Sequence, residues 1–157
     1  MGIYVRLEVN PSRITAKQWE DFYQESLILV QRFPVPLMRL MKQETPLGTR
    51  LVWTGAIVQR QGMPDEHWVV SGDLETNLRA ETFRLYRLFE RQFHRRLKLA
   101  DKDVLWRIDE YGSSNGDEVF GNKTQGYPYH LAILAVAILA ESRFPGRAAA
   151  GCQDVKV

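Results

Sequence analysis

The sequence predicts a single domain of the α+β class, and three observations support this fold class. The chain has 157 residues, the size of one ordinary domain, and no repeat, low-complexity tract or long linker divides it. Segments in which apolar and polar residues alternate, as in strands, are interleaved with segments of helical spacing. The predicted order is β-α-β-β-α-β, followed by a buried apolar helix and a last strand or tail. The first six elements match the order of ferredoxin-like sandwiches.

The first two elements are a strand and an amphipathic helix. Residues 3–9 alternate strictly, which predicts a strand covered on one face. Thr15 and Gln18 have the spacing of a capping box, which predicts the start of a helix. Pro34 and Pro36 end this helix, because proline disfavours helical backbone before it and supplies no amide hydrogen. Between these signals, residues of one helical face recur at intervals of three and four: Trp19, Phe22, Tyr23, Ser26, Leu27 and Val30.

The middle of the chain is predicted to contain strands and one long helix. No element is assigned to residues 37–49. Residues 50–59 and 67–72 are rich in β-branched and aromatic side chains, which indicates strands, and a loop with Gly62 and Pro64 joins them. Residues 76–98 are predicted as the strongest helix, because acidic residues at its start and basic residues at its end suit the helix dipole. Residues 103–110 alternate again and predict another strand.

A third helix is predicted over the apolar run LAILAVAILA, residues 131–140. Pro128 suits its first turn, and the segment RFPG at residues 143–146 ends it. Because the helix is apolar on all sides, we expect it to be covered all round, with Leu134 and Ile138 buried. It is then either wedged between the sheet and the other helices or placed at an interface between subunits, so a homo-oligomer is one expectation. Residues 147–157 form a weak strand or a tail.

Composition and the N-terminus indicate a soluble, cytoplasmic protein. Cys152 is the one cysteine, so no intramolecular disulfide forms, and a reducing compartment is expected. Apolar and polar residues alternate from the first residues onward, whereas a secretory signal would begin with a basic segment followed by an apolar one. The longest apolar run has about half of the roughly 20 residues that cross a bilayer, so no membrane contact is expected.

A row of arginines is the first candidate functional feature. On a helix over residues 76–98, one face carries Arg84, Arg87, Arg91 and Arg95, opposite an apolar face. We expect this basic stripe to bind a protein partner with an acidic surface, although a solvated helix face has the same composition. Nucleic acid is the less favoured partner, because the formal net charge is only +2 and no nucleic-acid-binding signature accompanies the stripe.

The segment GDEVFGNKTQGYPYH at residues 116–130 is the second candidate. It resembles a phosphate-binding P-loop, but Asn122 separates the glycine from the Lys-Thr pair, and the helix starts too late to point its N-terminus at a phosphate. A weaker anion site remains, with Lys123, Thr124 and His130 at the start of the apolar helix. In the alternative interpretation the same residues only cap the core and face solvent.

No catalytic or metal-binding constellation emerges from the sequence. Asp73 has the position of a helix cap or of a catalytic acid, and the cap is favoured. Cys152 has no histidine close by in the sequence, and no cofactor is predicted. The three histidines lack partners at metal-ligand spacing: His67, His94 and His130. We therefore expect a non-enzymatic protein-binding domain of adaptor or immunity type, and the alternative is an enzyme or small-molecule binder with an anion site at residues 112–130.

Overall fold

The chain folds into two antiparallel sheets and three helices in the part that the computed structural model describes, residues 2–93 and 116–155. This confirms the predicted α+β class. The elements in chain order are β1 (Gly2–Val9), a 3-10 turn (Pro11–Arg13), α1 (Ala16–Gln31), β2 (Leu37–Thr45), β3 (Gly48–Thr54), β4 (Val58–Gln59), β5 (His67–Asp73), β6 (Arg79–Tyr86), α2 (Phe89–Gln92), β7 (Asp117–Lys123), α3 (Tyr129–Arg143) and β8 (Ala148–Val155).

The first sheet has three strands in the order β7-β1-β8. Its central strand is β1, which confirms the strand predicted at residues 3–9. Val5, Leu7 and Val9 are completely buried, as strict alternation over a covered face requires. Val5 lies opposite Asn122 of β7 and opposite Cys152 of β8 in the strand register. The predicted C-terminal strand is therefore present, and it completes this sheet.

The second sheet contains the other five strands, and one hairpin extends from it. The strand order is β3-β2-β5-β4, and β6 pairs with β5. β2 pairs with β5 only through Leu37 opposite Asp73 and Met38 opposite Gly72, whereas it pairs with β3 along seven residue positions. Residues 39–54 thus form a two-stranded hairpin, here called the hairpin arm. The hairpin arm and the start of β2 together include residues 37–49, for which the sequence predicts no element.

Helix α1 is fixed at its start by the predicted capping box. The hydroxyl of Thr15 accepts a hydrogen bond from the amide of Gln18, and the Gln18 side chain accepts one from the amide of Thr15. One face of the helix is buried against the core. At its centre, the indole of Trp68 on β5 donates to the hydroxyl of Ser26 over 2.9 Å, so that both buried polar groups are satisfied.

Asp73 lies at a turn between strands. The long helix predicted over residues 76–98 is wrong for residues 76–88, and the helical portion of its described part is α2, Phe89–Gln92. Residues 79–86 form β6, in which Phe83 and Leu85 are buried and Arg84 is exposed. The side chain of Asp73 accepts hydrogen bonds from the amide and hydroxyl of Thr76, so it closes the turn between β5 and β6. Pairing with β5 outweighs the local helical pattern. The ferredoxin-like order is not confirmed, because β6 occupies the place of its second helix; residues 94–98 and the strand predicted at 103–110 lie outside the described residues.

Helix α3 has the predicted bounds but is covered on one side only. Pro128 precedes its first residue, and Phe144 follows its last. The expectation that Ile138 is buried is wrong, because its side chain is 53% exposed, and Leu131 is 63% exposed. Leu134 is partly buried against the core. The core-facing side consists mainly of small and β-branched residues that allow close packing: Ala132, Ile133, Val136, Ala137 and Ala140.

Helices in the described part of the chain are all too short or too polar to span a bilayer. The longest of them, α1, has 16 residues. A transmembrane helix needs about 20 residues.

Replacing Gly72 by alanine should destabilise the fold, because a Cβ there would lie 2.3 Å from the carbonyl oxygen of Leu78 and 2.9 Å from Cε of Met38. We expect a loss of about 2 kcal/mol in the free energy of unfolding, measured by chemical denaturation. Gly151→Ala is the matched control, since no heavy atom lies within 4 Å of the corresponding position. Equal stability of the two variants would contradict this packing.

The one-sided burial of α3 gives a second prediction. Ile133→Gln should cost several kcal/mol, because it places an amide without partners in the core. Ile138→Gln should change stability by less than about 1 kcal/mol, because glutamine favours helices and the site is exposed. Thermal and chemical unfolding of both variants provide the test. A large loss at Ile138 would show that another surface covers this side of the helix.

Candidate functional site

The second sheet carries a mixed polar and apolar surface on the face opposite the core. Trp68, Val70 and Phe83 point into the core, so the alternating residues of β5 and β6 point the other way. On this opposite face the hydroxyls of Ser71 and Thr82 share a hydrogen bond of 2.9 Å. This hydrogen bond satisfies the two groups mutually and forms the floor of a depression between β6 and the hairpin arm.

The depression is an open groove with a volume of about 570 Å³, here called the arm groove. One wall is the hairpin arm, in which Leu40 lies opposite Trp53 and Lys42 lies opposite Leu51. Because opposed residues of an antiparallel pair share a face, these four side chains are on the groove side of the arm. The residues that line the groove are Leu40, Leu51, Trp53, Ser71, Arg79, Ala80 and Thr82.

An arginine and a tryptophan lie together in the arm groove. The guanidinium carbon of Arg79 lies 4.6 Å from the ring centre of Trp53, which is a cation-π contact. Within the described part of the chain, no carboxylate forms an ion pair with Arg79, Arg84 or Lys42. The groove therefore presents positive charge that the described residues leave unneutralised.

The hairpin arm also exposes leucines. Leu51 is 59% exposed and Leu40 is 40% exposed, and both line the arm groove. Leu47 is fully exposed at the tip, between β2 and β3. Scattered exposed leucines are common, but here two of them adjoin a tryptophan and an unpaired arginine in one concave surface. This combination makes the arm groove the candidate binding surface.

The predicted basic stripe is not a helix face. Arg84 is exposed on β6, Arg91 is on α2, and Arg95 lies outside the described residues. Arg87 follows β6, and its guanidinium donates to Oε1 of Glu20 over 2.7 Å and to the carbonyl of Met63 over 3.2 Å. Arg87 is thus engaged within the fold, whereas Arg84 forms no ion pair with the residues that the structure describes.

The predicted anion site at Lys123, Thr124 and His130 is brought together only in part. Thr124 is completely buried, and its hydroxyl lies 2.6 Å from Nδ1 of His130. Burial lowers the pKa of His130, which favours a neutral imidazole that offers no charge to an anion. The ammonium of Lys123 lies 5.4 Å from the ring centre of Tyr4.

The start of α3 has little free hydrogen-bonding capacity for an anion. The amide of His130 donates to the carbonyl of Tyr127, and the amide of Leu131 donates to the carbonyl of Pro128. An anion site at a helix start depends on amides that point at the ligand. These two amides are already used, so the geometry favours the arm groove over this segment as a binding surface.

Cys152 also lies next to the start of α3, and the sequence does not predict this. Its Sγ lies 3.8 Å from Nε2 of His130, although 22 positions separate the two residues. The contact arises because β8 pairs with β1 and so brings Cys152 beside the start of α3. No local sequence signal indicates this pairing, since it depends on the register of a strand that is itself weakly predicted.

Neither a metal cluster nor a similarity identifies the site. Among residues 2–93 and 116–155, no three His, Cys, Asp or Glu side chains are arranged to hold a metal ion. Comparison of the chain with protein-family models, curated proteins and solved structures finds no match. Function is therefore inferred from the geometry of the chain alone.

The different environments of Arg87 and Arg84 give a third prediction. Arg87→Ala should lower the free energy of unfolding by about 2 kcal/mol or more, because Glu66, 3.6 Å from the guanidinium, is almost completely buried and loses its nearest cation. Arg84→Ala should change it by less than about 0.5 kcal/mol, because this side chain is exposed and forms no ion pair with the described residues. Chemical denaturation of both variants measures the difference. Equal effects would contradict the assignment of Arg87 to the fold and Arg84 to the surface.

Proposed function

We propose that this chain is a non-enzymatic protein-binding domain, of adaptor or immunity type, whose arm groove receives an acidic segment of a partner protein. The observation that carries the proposal is the contact of unpaired Arg79 with Trp53 beside the exposed side chains of Leu40 and Leu51. Tryptophan and arginine are the residue types that most often dominate the binding energy of protein interfaces. The role predicted for a basic helix is therefore assigned to a basic and apolar groove.

The apolar part of the arm groove supplies a surface that a partner can desolvate. Leu40, Leu51 and Trp53 together form one wall, and their exposed area becomes buried when a segment occupies the groove. The partly buried hydrogen bond between Ser71 and Thr82 supports the floor. An apolar anchor surrounded by polar groups is the common arrangement at the centre of protein interfaces.

The charged part of the arm groove favours carboxylates on the partner. Arg79 lines the groove, Lys42 lies on the groove side of the arm, and Arg84 lies on β6 two residues from Thr82. None of the three forms an ion pair within the described residues, so an acidic segment supplies counter-charges. Nucleic acid is the weaker candidate, because phosphate backbones are bound by many cations, whereas leucines form much of this wall. An acidic protein segment with apolar side chains matches both parts of the groove.

The proposal is tested with defined probes: a peptide of alternating glutamate and leucine, its lysine and leucine counterpart, and a single-stranded oligonucleotide. We expect the acidic peptide to bind most tightly, with affinity that falls as salt rises, because exposed charges are screened over about 10 Å at 0.1 M salt. Arg79→Glu and Trp53→Ala should each weaken binding about tenfold or more. Fluorescence anisotropy of labelled probes gives the dissociation constants.

Arg13→Glu is the matched control for Arg79→Glu, because it makes the same change in net charge at an exposed position at the end of the 3-10 turn. It should leave affinity for the acidic peptide nearly unchanged. An equal loss in both variants, or preferred binding of the oligonucleotide, would contradict the proposal. Thermal stabilisation by millimolar phosphate that Lys123→Ala abolishes would instead support the anion site at the start of α3.

A further inference from the structure

Three side chains from different parts of the chain converge next to the start of α3. Thr124 follows β7, His130 lies in the first turn of α3, and Cys152 lies in β8. The Thr124 hydroxyl is 2.6 Å from Nδ1 of His130, and Cys152 Sγ is 3.8 Å from Nε2 on the other side of the ring. These residues, here called the thiol site, have the order of a nucleophile, a base and a group that orients the base.

The surroundings of Thr124 fix the orientation of His130. The Thr124 hydroxyl lies 3.3 Å from the carbonyl oxygen of Ile3, to which it donates its hydrogen, and it accepts a hydrogen bond from the amide of Gly126. The hydroxyl has a single hydrogen, and when Ile3 accepts it, the 2.6 Å contact to His130 is a donation from Nδ1–H to the threonine oxygen. Nε2 then carries the lone pair, and it points toward Cys152.

The charge state of His130 suits a proton acceptor. Burial lowers the pKa of its imidazole, so the ring is neutral near neutral pH. A neutral ring with its lone pair toward a thiol accepts the thiol proton and leaves a thiolate, which is the reactive form of cysteine. The pairing of Val5 and Cys152 in the register of β1 and β8 fixes where the cysteine backbone lies.

Cys152 is also accessible from solvent. It is exposed, and the adjoining Gly151 has open space around the position where a Cβ would lie. Structural cysteines are usually buried and inert, whereas reactive ones are exposed beside a base or a cation. Exposure of the sulfur together with an oriented imidazole therefore distinguishes this thiol from an unreactive surface cysteine.

We propose that Cys152 is a nucleophilic thiol that undergoes exchange with small-molecule disulfides of the glutathione type, with His130 as its proton acceptor and Thr124 as a positioning residue. The thiol proton moves to Nε2 of His130, and the thiolate sulfur attacks one sulfur of the disulfide. A new S–S bond forms to Cys152 as the original S–S bond breaks. The leaving thiolate takes the proton from His130, so the step needs no other oxidant.

Disulfide exchange is the reaction that these groups support. It requires a nucleophile, a proton acceptor and access, and the thiol site provides all three. Acyl transfer requires in addition donors for a developing oxyanion, and the contacts of Cys152 among the described residues provide the imidazole alone. The thiol site is built on the first sheet and does not depend on the arm groove, so failure of one proposal leaves the other in place.

The test measures the rate at which folded protein forms a mixed disulfide with oxidised glutathione. The chain contains one cysteine, so every adduct seen by mass spectrometry is at Cys152. At about pH 7 we expect the wild-type protein to react roughly tenfold faster than His130→Gln and than the unfolded wild-type chain in denaturant. The unfolded chain gives the rate of an ordinary exposed thiol without any substitution in the fold.

Thr124 is tested by a pair of variants. Thr124→Val removes the hydroxyl at similar size and should lose most of the rate advantage, whereas Thr124→Ser should restore it because the hydroxyl returns. The melting temperature of each variant is measured alongside, so that a loss of folding is not mistaken for a loss of reactivity. A rate unchanged in Thr124→Val would remove Thr124 from the site.

The pH profile separates proton acceptance from simple access. At about pH 10 any exposed thiol is ionised, so wild type and His130→Gln should react at similar rates. On α3, the titratable group next to Cys152 is His130. Farther along α3, the carboxylate of Glu141 accepts a hydrogen bond from the amide of Ala150 on β8. On β1, the residue opposite Cys152 is the apolar Val5. Glu141 is the same in every variant, so its charge does not affect the comparison.

Two results would overturn the proposal. One is a folded wild-type rate at about pH 7 no higher than that of His130→Gln or of the unfolded chain. The other is a rate advantage that persists at about pH 10, which would assign it to access and not to His130. The same rate is also measured with a cyclic peptide disulfide. Faster exchange with this peptide than with oxidised glutathione would contradict the proposed substrate class and indicate that Cys152 reacts with protein disulfides.

Discussion

The fold depends on the burial of one indole. Trp19 on α1 is completely buried, and its ring packs against Phe22, Phe93 and Phe144 with ring centres 4.9 to 6.3 Å apart. Its Nε1–H donates to the carbonyl of Tyr86 at the end of β6 over 3.0 Å. A buried indole without this acceptor would carry an unsatisfied donor, so the end of β6 is fixed next to α1.

This constraint connects the two sheets through the helices. Phe144 follows α3, which packs on the first sheet, whereas Tyr86 ends β6 in the second sheet. Trp19 contacts both Phe144 and the carbonyl of Tyr86, and so it joins elements that are distant in the chain. The hairpin arm receives no such support, because only two residue pairs tie β2 to β5. An isolated hairpin is marginally stable, and the contact of Arg79 with Trp53 is one that holds the arm to the sheet.

The sequence predicts well the elements whose signals are local. The capping box at Thr15 and Gln18 marks the start of α1, and the proline before Tyr129 marks the start of α3, because each signal involves neighbouring backbone groups. The pattern of residues 76–98 predicts a helix over residues 79–86, because the charges at its two ends suit the helix dipole and an apolar face lies opposite the arginines. The pairing of residues 79–86 with β5 depends on residues of another segment, which no local pattern contains.

In the candidate sites, too, local sequence patterns predict contacts between residues that are close in the chain but not contacts between distant ones. Thr124 and His130 are predicted as neighbours from their closeness in the sequence, and the structure places their side chains in contact. The nearness of Cys152 to His130 depends on the register of β8 against β1, in which a shift by one residue would turn the sulfur to the other face. Arg79 and Trp53 likewise meet only because the hairpin arm folds over the second sheet.

The position of β3 at the end of the strand order has a consequence for self-association. Among the described strands β3 is outermost, and such a strand of seven residues offers backbone groups that those strands leave unpaired to an extended chain, which is a common route to aggregation. Arg50 lies on this strand, and its Nε donates to the side chain of Gln43 on β2. Two copies of the chain that met along β3 would bring like charges together, whereas a carboxylate-bearing strand would not be repelled. Arg50 therefore disfavours edge-to-edge association of two copies along β3, and it leaves the same edge available to a negatively charged strand of another protein.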